Sequence, residues 1–173
     1  MDAKTKNTTE MSAAAIGIRK VGIVGAGQMG NGIAHVVAVA GYDVAMSDLK
    51  RENYDKAIAI IQKNLNRQVS KGLVSDATAN AAVKRITYAA DYNAFGDCDL
   101  VIEAAVEDES IKRKIFQELC PKLKKGALLA SNTSSISITR LASGTDRPED
   151  FIGMHFMNPV PVMQLVELIR GIE

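Results

Sequence analysis

A glycine-rich turn set between an apolar run and an apolar helical stretch limits this chain more than any other feature. Val21-Gly22-Ile23-Val24 is β-rich, Gly25-Ala26-Gly27-Gln28-Met29-Gly30 follows at once, and Met29 to Ala40 reads as a helix. In such a G-x-G-x-x-G the first glycine makes the tight turn. The second lets the backbone approach a pyrophosphate, and the third lets the helix lie close to the strand. Phosphates then settle at the helix N-terminus, where free N–H groups and the positive end of the dipole point outward. Glycine-rich turns also serve plain packing, so it is the strand before and the helix after that turn this one into a nucleotide signal.

The rest of the chain repeats the alternation. Gly41-Tyr42 breaks the first helix, and Asp43 to Ser47 reads as a second strand. From Arg51 to Ser70, Tyr54, Ile58, Ile61, Leu65 and Val69 recur at three- and four-residue spacing, the mark of an amphipathic helix. Residues 76 to 84 predict a short helix, and Ile86-Thr87-Tyr88 a weak strand. Leu100 to Ala104 is apolar without alternation, as a strand covered on both faces should be. Ser110 to Leu123 predicts a helix, Ala127 to Ala130 a fifth strand, and Ser135 or Ser137 can cap a short helix carrying Leu141. Phe151 to Met154 and Gln164 to Ile169 are the last two strands. The expected fold is therefore α/β: a Rossmann-like, doubly wound, mainly parallel sheet with a helical excursion after the second strand. Residues 1–18, rich in Lys, Asn, Thr and Ala, read as a disordered lead-in, and 19–173 as one domain.

Composition narrows the class. Lys plus Arg number 21 against 20 Asp plus Glu, a net charge of +1, so no global field recruits nucleic acid or an anionic membrane. No run approaches the roughly 18 apolar residues that span a bilayer, and two cysteines set well apart suit neither a disulfide framework nor a thiolate metal site. The expected compartment is the cytoplasm.

Two positions then carry chemistry. Asp48 lies 18 residues beyond Gly30, at the end of the second strand, where a carboxylate can accept both ribose hydroxyl protons of NAD and repel the 2′-phosphate of NADP. Its alternative use is a helix N-cap, and Lys50 and Arg51 beside it soften the repulsion. In Met154-His155-Phe156-Met157-Asn158-Pro159-Val160-Pro161-Val162-Met163-Gln164-Leu165-Val166-Glu167, the prolines fix φ around Val160 and bring His155 and Glu167 toward one end of the sheet. An imidazole can take or return a proton near neutral pH, and a carboxylate on its other nitrogen fixes the tautomer. The competing use is a histidine hydrogen-bonded in a packed turn with Glu167 merely solvated. His35, inside the first helix without a Cys, Asp or second His at ligand spacing, reads as structural, and no metal site is expected.

With these motifs, and with Val101-Ile102-Glu103-Ala104-Ala105-Val106-Glu107 and Ala130-Ser131-Asn132-Thr133-Ser134-Ser135, the chain from Lys20 to Gly171 resembles the NAD-binding domain of the L-3-hydroxyacyl-CoA dehydrogenase family. The resemblance implies NAD-dependent oxidation of a 3-hydroxyacyl-CoA, or the reverse reduction. His155 is then the acid/base, Glu167 its partner, and Ser134 the hydrogen-bond donor to the reacting oxygen. It implies cofactor contacts at Gly25, Gly27, Gln28, Met29, Gly30, Asp48, Glu107, Lys112, Ser134 and Asn158, and acyl-CoA contacts at Ser134, Asn64 and Lys71.

Several of these residues have plainer uses. Ser134 can cap a helix, as Ser135 can equally. Lys71 can be the cation favoured at a helix C-terminus. Lys112 can belong to a solvated basic face with Arg113, Lys114, Lys122, Lys124 and Lys125, and Asn64 stands where some relatives have serine. The family's helical C-terminal domain, which forms a homodimer and contributes an active-site asparagine, is absent from these residues, so weak turnover is expected. Two other readings are a non-catalytic NAD-binding module and a relative acting on a sugar acid such as L-gulonate.

Overall fold

The computed structural model describes residues 17–173, so the lead-in expected over 1–18 lies almost wholly outside the described residues. Seven strands form one sheet in the order β3-β2-β1-β4-β5-β6-β7. They are β1 (Lys20–Val24), β2 (Asp43–Ser47), β3 (Ile86–Tyr88), β4 (Leu100–Glu103), β5 (Leu128–Ser131), β6 (Phe151–Phe156) and β7 (Val166–Arg170). All neighbours are parallel except β6 and β7. The chain leaves β1 toward β2 and β3, then returns to place β4 on the other side of β1. That reversal opens a crevice at the carboxyl ends of β1 and β4, where ligands of doubly wound sheets bind.

Successive strand residues point to opposite faces, and the core divides accordingly. Val21, Ile23, Val44, Met46, Leu100 and Ile102 pack on one side with α1 (Gln28–Val39), α2 (Arg51–Ser70) and α3 (Asp76–Arg85). Val24, Ala45, Val101 and Leu129 pack on the other with α4 (Glu109–Leu119) and α5 (Ile138–Ala142). The expected helix over 110–123 ends early: Pro121 lacks the N–H that an α-helix needs, and Cys120–Lys122 tighten into a 3₁₀ turn. Of the two candidate caps for α5, Ser137 is the one used, its hydroxyl accepting from the Arg140 amide. Cys98 and Cys120 are free and buried, and burial pushes the Cys98 thiol up to about 11. No described helix is long and apolar enough to cross a membrane.

His35 is 1% exposed and joins α1 to α2, its Nε2 donating to the Gln68 side-chain oxygen at 2.8 Å. Nδ1 finds no partner among the described residues. Protonating it would bury a charge without an acceptor, and burial lowers the pKa below the ordinary 6.5 despite the Gln68 bond. The unfolded chain therefore binds this proton first as pH falls. Stability should be intact above the unfolded value of 6.5 and decline below it, by at most about 1.4 kcal/mol per pH unit from this one group. Urea unfolding across that range in wild type and His35→Gln tests this, since equal pH slopes in the two proteins would remove His35 as the cause.

Candidate active site

The glycine turn closes β1 into α1. Gly25 takes φ +105°, and a Cβ there would stand 2.6 Å from the Ala104 carbonyl oxygen at the end of β4. Gly27 is the N-cap of α1, with no side-chain cap and no acidic residue in the first turn. A Cβ at Gly27 would meet nothing within 4 Å. The helix thus presents its free N–H groups to an open cleft, which fits a pyrophosphate.

The cleft is lined by Ala26, Gly27, Gln28, Asp48, Asn53, Lys56, Ile60, Asn64 and the segment Asn158 to Pro161. Asp48 accepts from the Ala26 amide at 2.8 Å and from the Asn53 side chain at 2.7 Å, which holds its carboxylate at the rim. The N-cap of α2 is Lys50, with no side-chain cap bond, so the alternative use of Asp48 as an N-cap is not realised. Arg51 is turned to Asp55 at 3.0 Å and lies over the ring of Tyr88, 4.5 Å from its centroid. Asn158 is drawn against the turn by Val160, which packs on Gly32, and accepts from the Gln28 side chain at 3.2 Å.

A second cavity joins Thr133 to Thr139 with His155, Glu167, Ile169 and Arg170. His155 and Glu167 face one another in the antiparallel register of β6 and β7. Directly opposed residues put their side chains on one face, and His155 Nδ1 meets Glu167 Oε2 at 2.9 Å. The side chains are 23% and 50% exposed, so the pair is reachable from solvent. Ser134 stands in the same cavity, on the turn after β5.

Glu107 organises that turn. Its Oε1 accepts from the Thr133 hydroxyl, from the Ser134 and Ser135 amides at 2.9 and 3.2 Å, and from the Ser135 hydroxyl at 3.1 Å. The Ser134 hydroxyl reaches it only at 3.4 Å, which leaves that group free for a better acceptor. Partial burial would raise the Glu107 carboxyl. The Thr133 hydroxyl, the Ser134 amide, the Lys112 charge and the Ser135 hydroxyl overcome this and hold it at about 2, an anion throughout the working range.

Of the two readings of Lys112, the solvated basic face is excluded: the side chain is 1% exposed, paired with Glu103 at 2.7 Å and 3.4 Å from Glu107, and it lines neither cavity. Lys71 lines neither cavity: it is the C-cap of α2, seven residues beyond Asn64 and so about 10 Å further along the axis. Asn53 and Lys56 line the cleft although the sequence does not single them out, and the buried Glu103 joins Lys112 to Ser131 behind the site. The first two share a face of α2 with Asn64 at helical spacing, and Glu103 is a charge ending an otherwise apolar strand.

The family model for the 3-hydroxyacyl-CoA dehydrogenase NAD-binding domain matches residues 20–173. A 3-hydroxybutyryl-CoA dehydrogenase of Bradyrhizobium diazoefficiens is 61% identical over 155 residues, 90% of this chain and 53% of that protein. A probable 3-hydroxybutyryl-CoA dehydrogenase of Deinococcus radiodurans is 51% identical over 88% of this chain and 54% of that protein. The crystal structure of (S)-3-hydroxybutyryl-CoA dehydrogenase from Ralstonia eutropha superposes with a TM-score of 0.87 at 48% identity, over 90% of this chain and 55% of that one. This chain spans about half the length of the curated relatives it matches.

Proposed function

The chain belongs to the 3-hydroxyacyl-CoA dehydrogenase family through its NAD-binding domain, and from that premise we propose that it interconverts (S)-3-hydroxyacyl-CoA and 3-ketoacyl-CoA. The observation that carries this reading is the His155–Glu167 pair, in register at 2.9 Å and sharing one cavity with Ser134. When bound, NAD supplies the hydride acceptor for C3, and NADH the donor in reverse.

The chain's residues handle the proton and the orientation. Glu167 occupies His155 Nδ1, which leaves Nε2 to take the 3-hydroxyl proton as the carbonyl forms, and to return it in reduction. Glu167 stabilises the imidazolium this creates. Ser134, loosely held by Glu107, donates to the reacting oxygen. Gly25, Gly27, Gln28, Met29 and Gly30 cradle the pyrophosphate, Asp48 takes the adenosine ribose, and Asn158 and Glu107 flank the nicotinamide half with Lys112 behind Glu107. Asn64 and, further along α2, Lys71 take the coenzyme A moiety.

Val166 and Leu168, both exposed, lie on the face of the edge strand β7 opposite Glu167 and Ile169, which line the cavity. We assign this apolar surface to the part of the relatives' length that this chain does not span, and expect the whole enzyme to be a cytoplasmic homodimer.

NADH oxidation driven by acetoacetyl-CoA, run beside NAD reduction driven by L-gulonate and a separate NADH-binding titration, tests the assignment. The expected result is NADH binding with turnover on acetoacetyl-CoA alone. Turnover on gulonate without acetoacetyl-CoA, or NADH binding with neither even when the chain is joined to the remaining length of a relative, would overturn it.

A further inference from the structure

Glu103 is the last residue of β4, 0% exposed, and sits between Val24 of β1 and Ser131 of β5 in the middle of the sheet. Its carboxylate is fully engaged. Oε1 accepts from the Ala105 amide at 2.7 Å and from Lys112 Nζ at 2.7 Å, and Oε2 accepts from the Ser131 hydroxyl at 2.6 Å and from Lys112 Nζ at 2.9 Å. A buried ion pair of this kind is a weak source of stability, since desolvating both charges offsets most of their attraction and an apolar pair of similar volume often does as well. The fold therefore gains little by keeping it, and what it touches suggests another use.

Lys112 Nζ reaches on to Glu107 Oε2 at 3.4 Å, and Glu107 Oε1 holds both the Ser134 and Ser135 amides. The same turn is tied back to β4 and across to β6. The Asn132 amide donates to the Glu103 carbonyl at 2.8 Å, and the Asn132 side-chain oxygen accepts from the amide of Phe156, the residue after His155, at 2.8 Å. We propose that Glu103 is a positioning residue: through Lys112 and Glu107 it fixes the Ser134 turn opposite His155. This rests on the function proposed above only in taking Ser134 as the group that meets the reacting oxygen.

Two variants separate positioning from plain structural support. Glu103→Gln leaves Lys112 buried beside an amide and should lower the melting temperature. The double variant Glu103→Leu/Lys112→Met replaces the pair by apolar groups and should recover most of that loss. The ¹H–¹⁵N resonances of Ser134 and Ser135 are expected to move in both variants. The kcat on acetoacetyl-CoA should fall about 10- to 100-fold in both while the substrate KM stays within about threefold, since the loss is one of alignment. A double variant with restored melting temperature, unmoved Ser134 and Ser135 amides and wild-type kcat would overturn the proposal. Should the double variant not fold, Glu103→Gln decides below its melting temperature, where unmoved amides overturn the proposal. A wild-type chain that binds NADH but turns over no acetoacetyl-CoA counts against the proposed function instead, and the amide resonances still settle the role of Glu103.

Discussion

Replacing His155 by glutamine is expected to cut acetoacetyl-CoA-dependent NADH oxidation by about 10²–10⁴-fold, the usual worth of a positioned general acid or base, while NADH affinity stays within about threefold. The two halves of this expectation have separate structural grounds. Glutamine can still meet Glu167 from β6, so the strand pairing that sets the register, His155 against Glu167 and Gly153 against Ile169, has no cause to change. It cannot carry the proton. The residues that face a dinucleotide at the glycine turn line a different cavity from the one His155 lines, so binding has no reason to follow turnover down. Stopped-flow reduction with a parallel NADH fluorescence titration gives both numbers. Unchanged turnover in the variant would remove His155 from the chemistry, whereas loss of NADH binding together with turnover would show that the substitution had disturbed the cleft rather than the proton transfer.

The parts of this fold that depend on chain-local signals are legible in the sequence alone. The bounds of β2, α2 and β3 follow from glycine breaks and apolar periodicity, and they stand where the sequence places them. What was not legible depends on neighbours distant in sequence. Lys112 reads as one of six basic residues within 14 positions, and only the 103–112 ion pair, made between the end of β4 and the first turns of α4, reveals that it is buried. Glu103 could be noticed as a charge in an apolar strand, but its saturation by Ser131, Ala105 and Lys112 requires the β4–β5 register. For His155 and Glu167 the sequence indicates only proximity at one end of the sheet. That the two are directly opposed in an antiparallel ladder, with Nδ1 as the engaged nitrogen, is tertiary information. Likewise Asn53 and Lys56 stay hidden among the polar residues of a long amphipathic helix until the cleft shows which face turns toward Asp48.

The glycines of the turn should divide sharply when each is replaced by alanine. At Gly30 an added Cβ would lie 1.8 Å from the Gly25 carbonyl oxygen, a backbone atom that cannot swing aside. The first turn of α1 must separate from β1 to relieve it. Overpacking of this severity costs about 1–3 kcal/mol or more, so Gly30→Ala should melt several degrees lower and lose NADH affinity at least about tenfold, because the helix N-terminus that meets the phosphates is displaced. Gly27 is the opposite case. Its φ of −67° and ψ of −165° are open to alanine, and nothing lies within 4 Å of the position its Cβ would take. Alanine restricts the unfolded chain, which stabilises by about 0.4–1 kcal/mol at a compatible site, and is a slightly poorer N-cap than glycine, so the melting temperature should stay within a few degrees of wild type. The new methyl instead projects into the cleft where a pyrophosphate would approach the backbone, and NADH affinity should fall about tenfold or more with the fold intact. Calorimetry and NADH titration of the two variants make the comparison. A Gly27→Ala protein that binds NADH like wild type would place the phosphates somewhere other than this turn, and a Gly30→Ala protein of unchanged stability would mean that α1 does not rest on the Gly25 carbonyl.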